Sequence, residues 1–225
     1  MSDNLISDAE AVRLRHSVRQ YKPDPIEPSK VSLITDLIRE INAESGLGLQ
    51  FIGDAGKTYN RLFNRMSGLG SAPSVIACVG PDDSSLDRRV GYYGEKLVLF
   101  AQKIGLNTCW TGTFNARNLD ADIPAGQRLV ICIAIGYGTG SGRERRSRTA
   151  AQISSAEGSR PAWFDEGVNM ALLAPTALNQ QKFLIRLNSD ESVDFIDKGG
   201  AFSQVDLGIV MRHFEIGSGR KQIPD

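Results

Sequence analysis

Apolar side chains recur along this chain at two spacings, and each spacing predicts an element type. Val31, Leu33, Ile34, Leu37, Ile38 and Ile41 fall at helical intervals behind Ser29, a residue able to cap a helix, and Gly46-Leu47-Gly48 closes that helix. Leu97, Val98, Phe100, Ala101 and Ile104 give residues 91–104 the clearest helical pattern in the chain, with an apolar face broad enough for substantial burial. Gly105 stands where a left-handed turn ends such a helix. Residues 8–19 read as a short helix capped by Asp8 and leading into Arg15-His16-Ser17-Val18-Arg19, after which Pro23, Pro25 and Pro28 impose an extended connector. Residues 59–66 predict a further short helix. Two more follow, one on Phe164, Val168, Ala171 and Leu172 that stops before Pro175, and one over residues 204–214 that ends near Gly217.

Unbroken apolar runs mark the strands. Residues 73–79 (PSVIACV) form one, and residues 129–135 (LVICIAI) form another that is predicted to lie centrally because both of its faces are apolar. Residues 49–52, 107–111 and 183–187 are shorter strands, and the Gly-rich, then basic stretch 136–148 is a loop. The two halves echo each other. Tyr93-Gly94 precedes an apolar stretch to Phe100, and Leu207-Gly208 leads at the same separation to Phe214. The pattern predicts a single α+β domain over residues 1–225, a pseudo-twofold unit of subunit-like halves (about 1–150 and 151–225) with helices packed on one mixed sheet.

Charge and composition narrow the chemistry. Among 225 residues there are 26 basic and 26 acidic side chains, so the net charge is zero and nothing in the total points to a nucleic-acid or membrane partner. The longest apolar run is too short to span a bilayer. The N-terminal residues are polar and acidic without a signal-peptide pattern, and Cys78, Cys109 and Cys132 have no paired spacing. A cytoplasmic protein in a reducing compartment, without a disulfide scaffold or zinc knuckle, is the expectation.

Several familiar motifs fail. Gly56-Lys57-Thr58 ends like a phosphate loop, but Phe51 stands where the first glycine is required. Gly136, Gly138, Gly140 and Gly142 alternate, and no register of them gives the dinucleotide fingerprint. His16 and His213 are the only histidines, which argues against a histidine metal site or a Ser-His-Asp triad, and no serine sits in a nucleophile elbow. An enzyme with this inventory is expected to borrow its chemistry from a bound cofactor.

Four segments survive. Arg15, Ser17 and Arg19 share one side of an extended backbone, where two guanidinium forks and a hydroxyl would suit a phosphate, although spacing alone fits a solvated basic helix end more readily. Arg143, Arg145, Arg146 and Arg148 form a basic run directly after the most apolar strand, either a solvated loop or an anion site at a strand end. In Asn107-Thr108-Cys109-Trp110-Thr111-Gly112, small residues around one tryptophan permit close approach of backbone N–H groups to a flat ligand, or simply place Trp110 in the core. Residues 174–181 (APTALNQQ) read as a helix-terminating turn in which Asn179 offers a donor and an acceptor to an imide edge.

Taken in this order, the segments resemble the FMN-dependent nitroreductase family. Arg15-His16-Ser17-Val18-Arg19 is similar to its N-terminal Arg-[Arg/His]-Ser-x-[Arg/Lys] signature, residues 101–112 (AQKIGLNTCWTG) to its central helix and Gly-Leu-x-x-x-Trp-x-Gly, and Arg146-Ser147-Arg148 to its basic pair. Residues 174–183 (APTALNQQKF) resemble its Ala-Pro-Ser-x-x-Asn-x-Gln-Pro-Trp segment, with Thr176 for serine, Lys182-Phe183 for Pro-Trp, and a position far downstream of the usual one near residue 40. That displacement resembles a divergent branch in which two subunit-like halves are fused. The resemblance implies a three-layer α/β/α fold with a mixed, mainly antiparallel sheet. It also implies FMN held by Arg15, His16, Ser17, Arg19, Thr111, Gly112, Arg146 and Arg148 from the first half and Pro175, Thr176, Ala177 and Asn179 from the second. The backbone of Thr111 and Gly112 would lie near flavin N5. The implied activity is transfer of hydride from NAD(P)H through the flavin to a nitroaromatic, quinone or similar small-molecule acceptor, with no catalytic side chain and no metal. A non-catalytic FMN-binding protein is the alternative. One flavin per chain is expected, in a monomeric pseudo-dimer or a homodimer.

Overall fold

The computed structural model describes residues 5–55, 72–140, 142 and 146–224. The predicted helix at residues 59–66 lies outside them. Helix α1 (Asp8–Leu14) is capped by Ser7 rather than Asp8. The Ser7 hydroxyl accepts the Glu10 N–H while the Glu10 carboxylate accepts the Ser7 N–H at 2.9 Å, a reciprocal pair that satisfies two orphan donors. The helix stops at Leu14, earlier than expected, because Arg15 adopts an extended conformation (φ −67°, ψ 129°). Helix α2 (Pro28–Ser45) opens on Pro28 rather than behind Ser29, since proline lacks the N–H that a first helical residue would leave unpaired, and Gly46 closes it at φ +69°.

Strands β1 (Gln50–Ile52), β2 (Ser74–Pro81), β3 (Asn107–Thr111) and β4 (Gln127–Gly136) form an antiparallel sheet in the order β1-β2-β4-β3. As its apolar run predicts, β4 is central, and alternation sends its side chains to two cores. Ile131, Ile133 and Ile135 join Ile76 and Cys78 in the main core beneath the helices, whereas Cys132 and Ala134 join Val75, Ala77 and Val79 in a smaller one on the opposite face. The second half adds helix α4 (Ala150–Ile153), strand β5 (Ser154–Ala156), helix α5 (Ala162–Ala171), strands β6 (Phe183–Leu187) and β7 (Val193–Asp197), and helix α6 (Ser203–Ser218). Here β5 pairs parallel and β7 antiparallel with β6, so the strands divide between two sheets where the sequence predicts one.

Helix α3 (Leu86–Lys103), five residues longer at its start than predicted, packs on β2, β3 and β4 and crosses α6 at very close range. A β-carbon added at Gly91 would lie 2.0 Å from the Val205 carbonyl oxygen, and one at Gly208 would lie 2.0 Å from that of Arg88. The contact is reciprocal, but it pairs Gly208 with Gly91, one turn from the Gly94 of the sequence echo. Gly94 instead gives room to the Trp110 ring. Among the described residues one half carries four strands and the other three.

Candidate functional site

Residues 15–19 run extended beside β3. Ser17 bridges Thr108 in parallel, and the Val18 N–H donates to the Thr108 carbonyl at 3.0 Å. Val18 is buried, while Ser17 and Arg19 stand at the junction of two clefts. The larger, about 420 Å³, lies between the end of β3 with Gly112 and Thr113, the segment 175–180, and the first turns of α6. The smaller, about 380 Å³, is bounded by Gln20, Thr139, Gly140 and Gly142. Both share Ser17 and Arg19.

The far segment reaches this place through a set of polar contacts. Gln181 is almost wholly buried; its Oε1 accepts the Arg148 N–H at 2.7 Å, its Nε2 donates to the Leu172 carbonyl at 3.0 Å, and its own N–H donates to the Thr176 hydroxyl at 3.0 Å. Asn179 Nδ2 donates to the Arg146 carbonyl at 2.7 Å. From α6, Asp206 accepts the Ala177 N–H, with its two oxygens at 2.9 and 3.0 Å. These contacts hold a strained backbone, for Leu178, Asn179 and Gln181 all have positive φ, at roughly 1–3 kcal/mol each. Phe202, at the start of α6, shares that conformation (φ +59°) and lays its ring against Gly112, where an added β-carbon would lie 2.3 Å from it.

A buried polar network backs the cleft wall. Trp110 Nε1 donates to Glu95 Oε2 at 2.9 Å, and Glu95 Oε1 lies 2.8 Å from His213 Nε2 and 3.9 Å from Arg15 Nε. Burial lowers the basicity of both Arg15 and His213, and Glu95 opposes that in each. Cys109, also in the wall, has its thiol pushed up by burial, with Arg19 and Arg15 pulling the other way. Burial, partly offset by the Ala177 N–H and reinforced by Asp197, pushes the Asp206 carboxyl up to about 7.

Of the residues expected from the sequence, Ser17, Arg19, Thr111, Gly112, Pro175, Thr176 and Ala177 line the larger cleft. Arg15, His16, Arg146, Arg148 and Asn179 line neither. Arg15 is 3% exposed and turned to Glu95, because a cation in the core needs a counter-charge. His16 Nδ1 lies 3.0 Å from the Leu14 carbonyl. Arg146 and Arg148 meet the second half through backbone atoms, with exposed side chains. Asn179 spends its amide donor on that loop rather than on a ring edge. Arg143 and Arg145 lie outside the described residues. The cleft face of α6, with Phe202, Val205, Asp206 and Ile209, was not anticipated, and neither was Gln180. A helical apolar pattern shows that α6 is amphipathic but not which wall it builds.

Among the described residues no helix is long and apolar enough to cross a membrane, and no cluster of His, Cys, Asp and Glu could hold a metal ion. A search of the curated proteins gives no match. The model of the family described as "Putative TM nitroreductase" matches residues 8–218. Among solved structures, a putative nitroreductase from Thermotoga maritima is similar with a TM-score of 0.67 at 22% identity, covering 96% of this chain and 86% of its own. A nitroreductase-like protein from Streptococcus mutans gives 0.53 at 13% identity, over 65% of this chain and 95% of its own. A nitroreductase with bound FMN from Bacteroides fragilis gives 0.51 at 16%, over 68% and 100%. At these identities the likeness is one of fold.

Proposed function

The chain belongs to the family of putative TM nitroreductases, and from that membership we propose that it is an FMN-dependent oxidoreductase, reduced by NAD(P)H and reoxidised by a small planar acceptor such as a nitroaromatic or quinone. The observation that carries this reading is the junction of two clefts across Ser17 and Arg19, walled by segments from both halves of the chain. The residues present fit a flavin nucleotide. The smaller cleft offers the Arg19 guanidinium, two hydroxyls and the backbone at Gly140, where an added β-carbon would meet nothing within 4 Å among the described residues, a donor set suited to a phosphate tail. The larger offers apolar surface from Val205 and Ile209 beside polar groups from Thr111, Thr176 and Gln180, as a ring system with one polar edge requires.

When bound, the flavin supplies the hydride chemistry. The chain's part is to bind and orient. Arg19 and Ser17 would neutralise and anchor the tail, Trp110 is fixed by Glu95 as a wall, and the backbone of Gly112, just past the last β3–β4 pair at Thr111, would offer a donor to developing negative charge. The departure at Lys182-Phe183 leaves the slot open, since Phe183 is buried in the main core at the start of β6. One observation favours the rival reading of a non-catalytic flavin binder, namely the Phe202 ring lying on Gly112.

Titration of apoprotein with FMN is expected to saturate at one equivalent per chain and to give a yellow protein bleached anaerobically by NADH or NADPH. Absence of FMN binding overturns the proposal. Binding without bleaching establishes the rival.

A further inference from the structure

Asp206 is the one carboxyl in the wall of the larger cleft among the described residues, and no function has yet been given to it. It stands in the first turn of α6 and accepts the N–H of Ala177 across the cleft wall. Both of its oxygens share that single donor, at 2.9 and 3.0 Å, and the residue lines the cleft beside Thr176, Ala177 and Val205. The charged groups around it do not favour ionisation. Asp197, on β7, is a second carboxylate and is itself held by Ser203, Gln204 and the Gly199 N–H. Arg88, on α3, bonds Gln204 rather than Asp206. Arg19 is the cleft's one cation among the described residues. Burial and Asp197 together hold the carboxyl at about 7, so that near neutral pH it carries a proton in a large fraction of molecules.

We propose that Asp206 donates the proton that an electron acceptor bound in this cleft takes up on reduction. The inference rests on the flavin-reductase reading above. A quinone-class acceptor takes up two electrons and two hydrogens, and the hydride that a bound flavin would supply carries both electrons and one of those hydrogens. The O–H bond of Asp206 breaks and an O–H bond forms on the second acceptor oxygen. The product is the neutral hydroquinone, and the aspartate left behind regains its proton from water. Without such a donor the reduced acceptor would remain an anion against Trp110, Val205 and Ile209, where a charge is poorly solvated.

Asp206→Asn tests this, because its amide oxygen still accepts the Ala177 N–H while nothing titrates. The variant is expected to bind FMN as the wild type does but to lose about 10²-fold in kcat with a quinone acceptor, and to lose the fall in kcat that the wild type shows above a pH of about 7. Asp206→Glu restores part of the rate and the pH dependence. Independently of turnover, carboxyl-carbon NMR of aspartate-labelled apoprotein is expected to show one resonance titrating near 7 in the wild type and none in Asp206→Asn. An unchanged kcat and pH profile in the variant, or no carboxyl titrating between about 6 and 8, overturns the assignment. Failure of FMN binding or of bleaching by NAD(P)H in the wild type falls on the flavin reading instead and is seen before any acceptor is added.

Discussion

Trp110 shows how one residue joins core and cleft. Its indole is half-buried, its N–H is committed to the interior Glu95, and its far edge fills the space left by Gly94, while its exposed part lines the larger cleft. Glu95 is fully buried and depends on this indole, on His213 and on Arg15 for its partners. Replacing Trp110 by Phe keeps most of the ring but leaves Glu95 Oε2 without its donor, and a buried acceptor stripped of its partner costs about 1–3 kcal/mol. Denaturant unfolding is expected to show that loss at unchanged m-value, and an undiminished midpoint would mean the indole bond contributes nothing. The network also explains why the Arg15-Ser17-Arg19 cluster divides. Its spacing is legible, since residues two apart in an extended backbone leave it on one side. Which of them would face solvent depends on Glu95, eighty positions along the chain, and nothing local records that.

Elements were legible where their pattern is carried by their own side chains. The run 129–135 reads as a two-faced buried strand because each face meets a separate core, and β6 and the body of α3 follow from the same logic. Strands β5 and β7 escaped because β5 is three small residues and β7, Val-Asp-Phe-Ile-Asp, is half-exposed; both are strands only because β6 lies beside them. The crossing of α3 and α6 is a clearer case still. Glycine weakens a helix locally, yet Gly91 and Gly208 allow two backbones to touch, and that proximity sets the cleft wall formed by Val205, Asp206 and Ile209. Gly208→Ala is expected to destabilise the protein by about 1–3 kcal/mol or more despite its better helix propensity, since the new methyl meets a backbone oxygen that cannot rotate away. Gly53→Ala, where the added carbon finds ordinary contact at 3.7 Å, is the control and should stay within about 0.5 kcal/mol. Equal thermal shifts in the two variants would contradict the close crossing.

At the scale of the whole molecule, two buried groups couple the fold to pH in opposite directions. Asp206 holds its proton more tightly when folded than when unfolded, about 7 against 3.8. Below 3.8 both states are protonated and its contribution is fully present; as pH rises the unfolded chain ionises first, so stability falls until pH passes about 7. His213 behaves in the reverse sense. Burial lowers its folded value beneath the ordinary 6.5, so its contribution is present above 6.5 and is lost as pH falls and the unfolded chain takes up the proton first. Both groups stand on α6, Asp206 at the cleft and His213 in the core against Glu95, so the helix that closes the cleft is strained from either side of a middle range. Asp206→Asn removes only the upper limb. Relative to the wild type it is expected to gain stability steadily between pH values of about 4 and 8, by no more than about 4 kcal/mol and by less if water in the cleft reaches the carboxyl. Thermal unfolding of both apoproteins across that range measures the difference directly. A constant offset would show that Asp206 has the same proton affinity folded and unfolded, and would remove the electrostatic basis for placing a proton there.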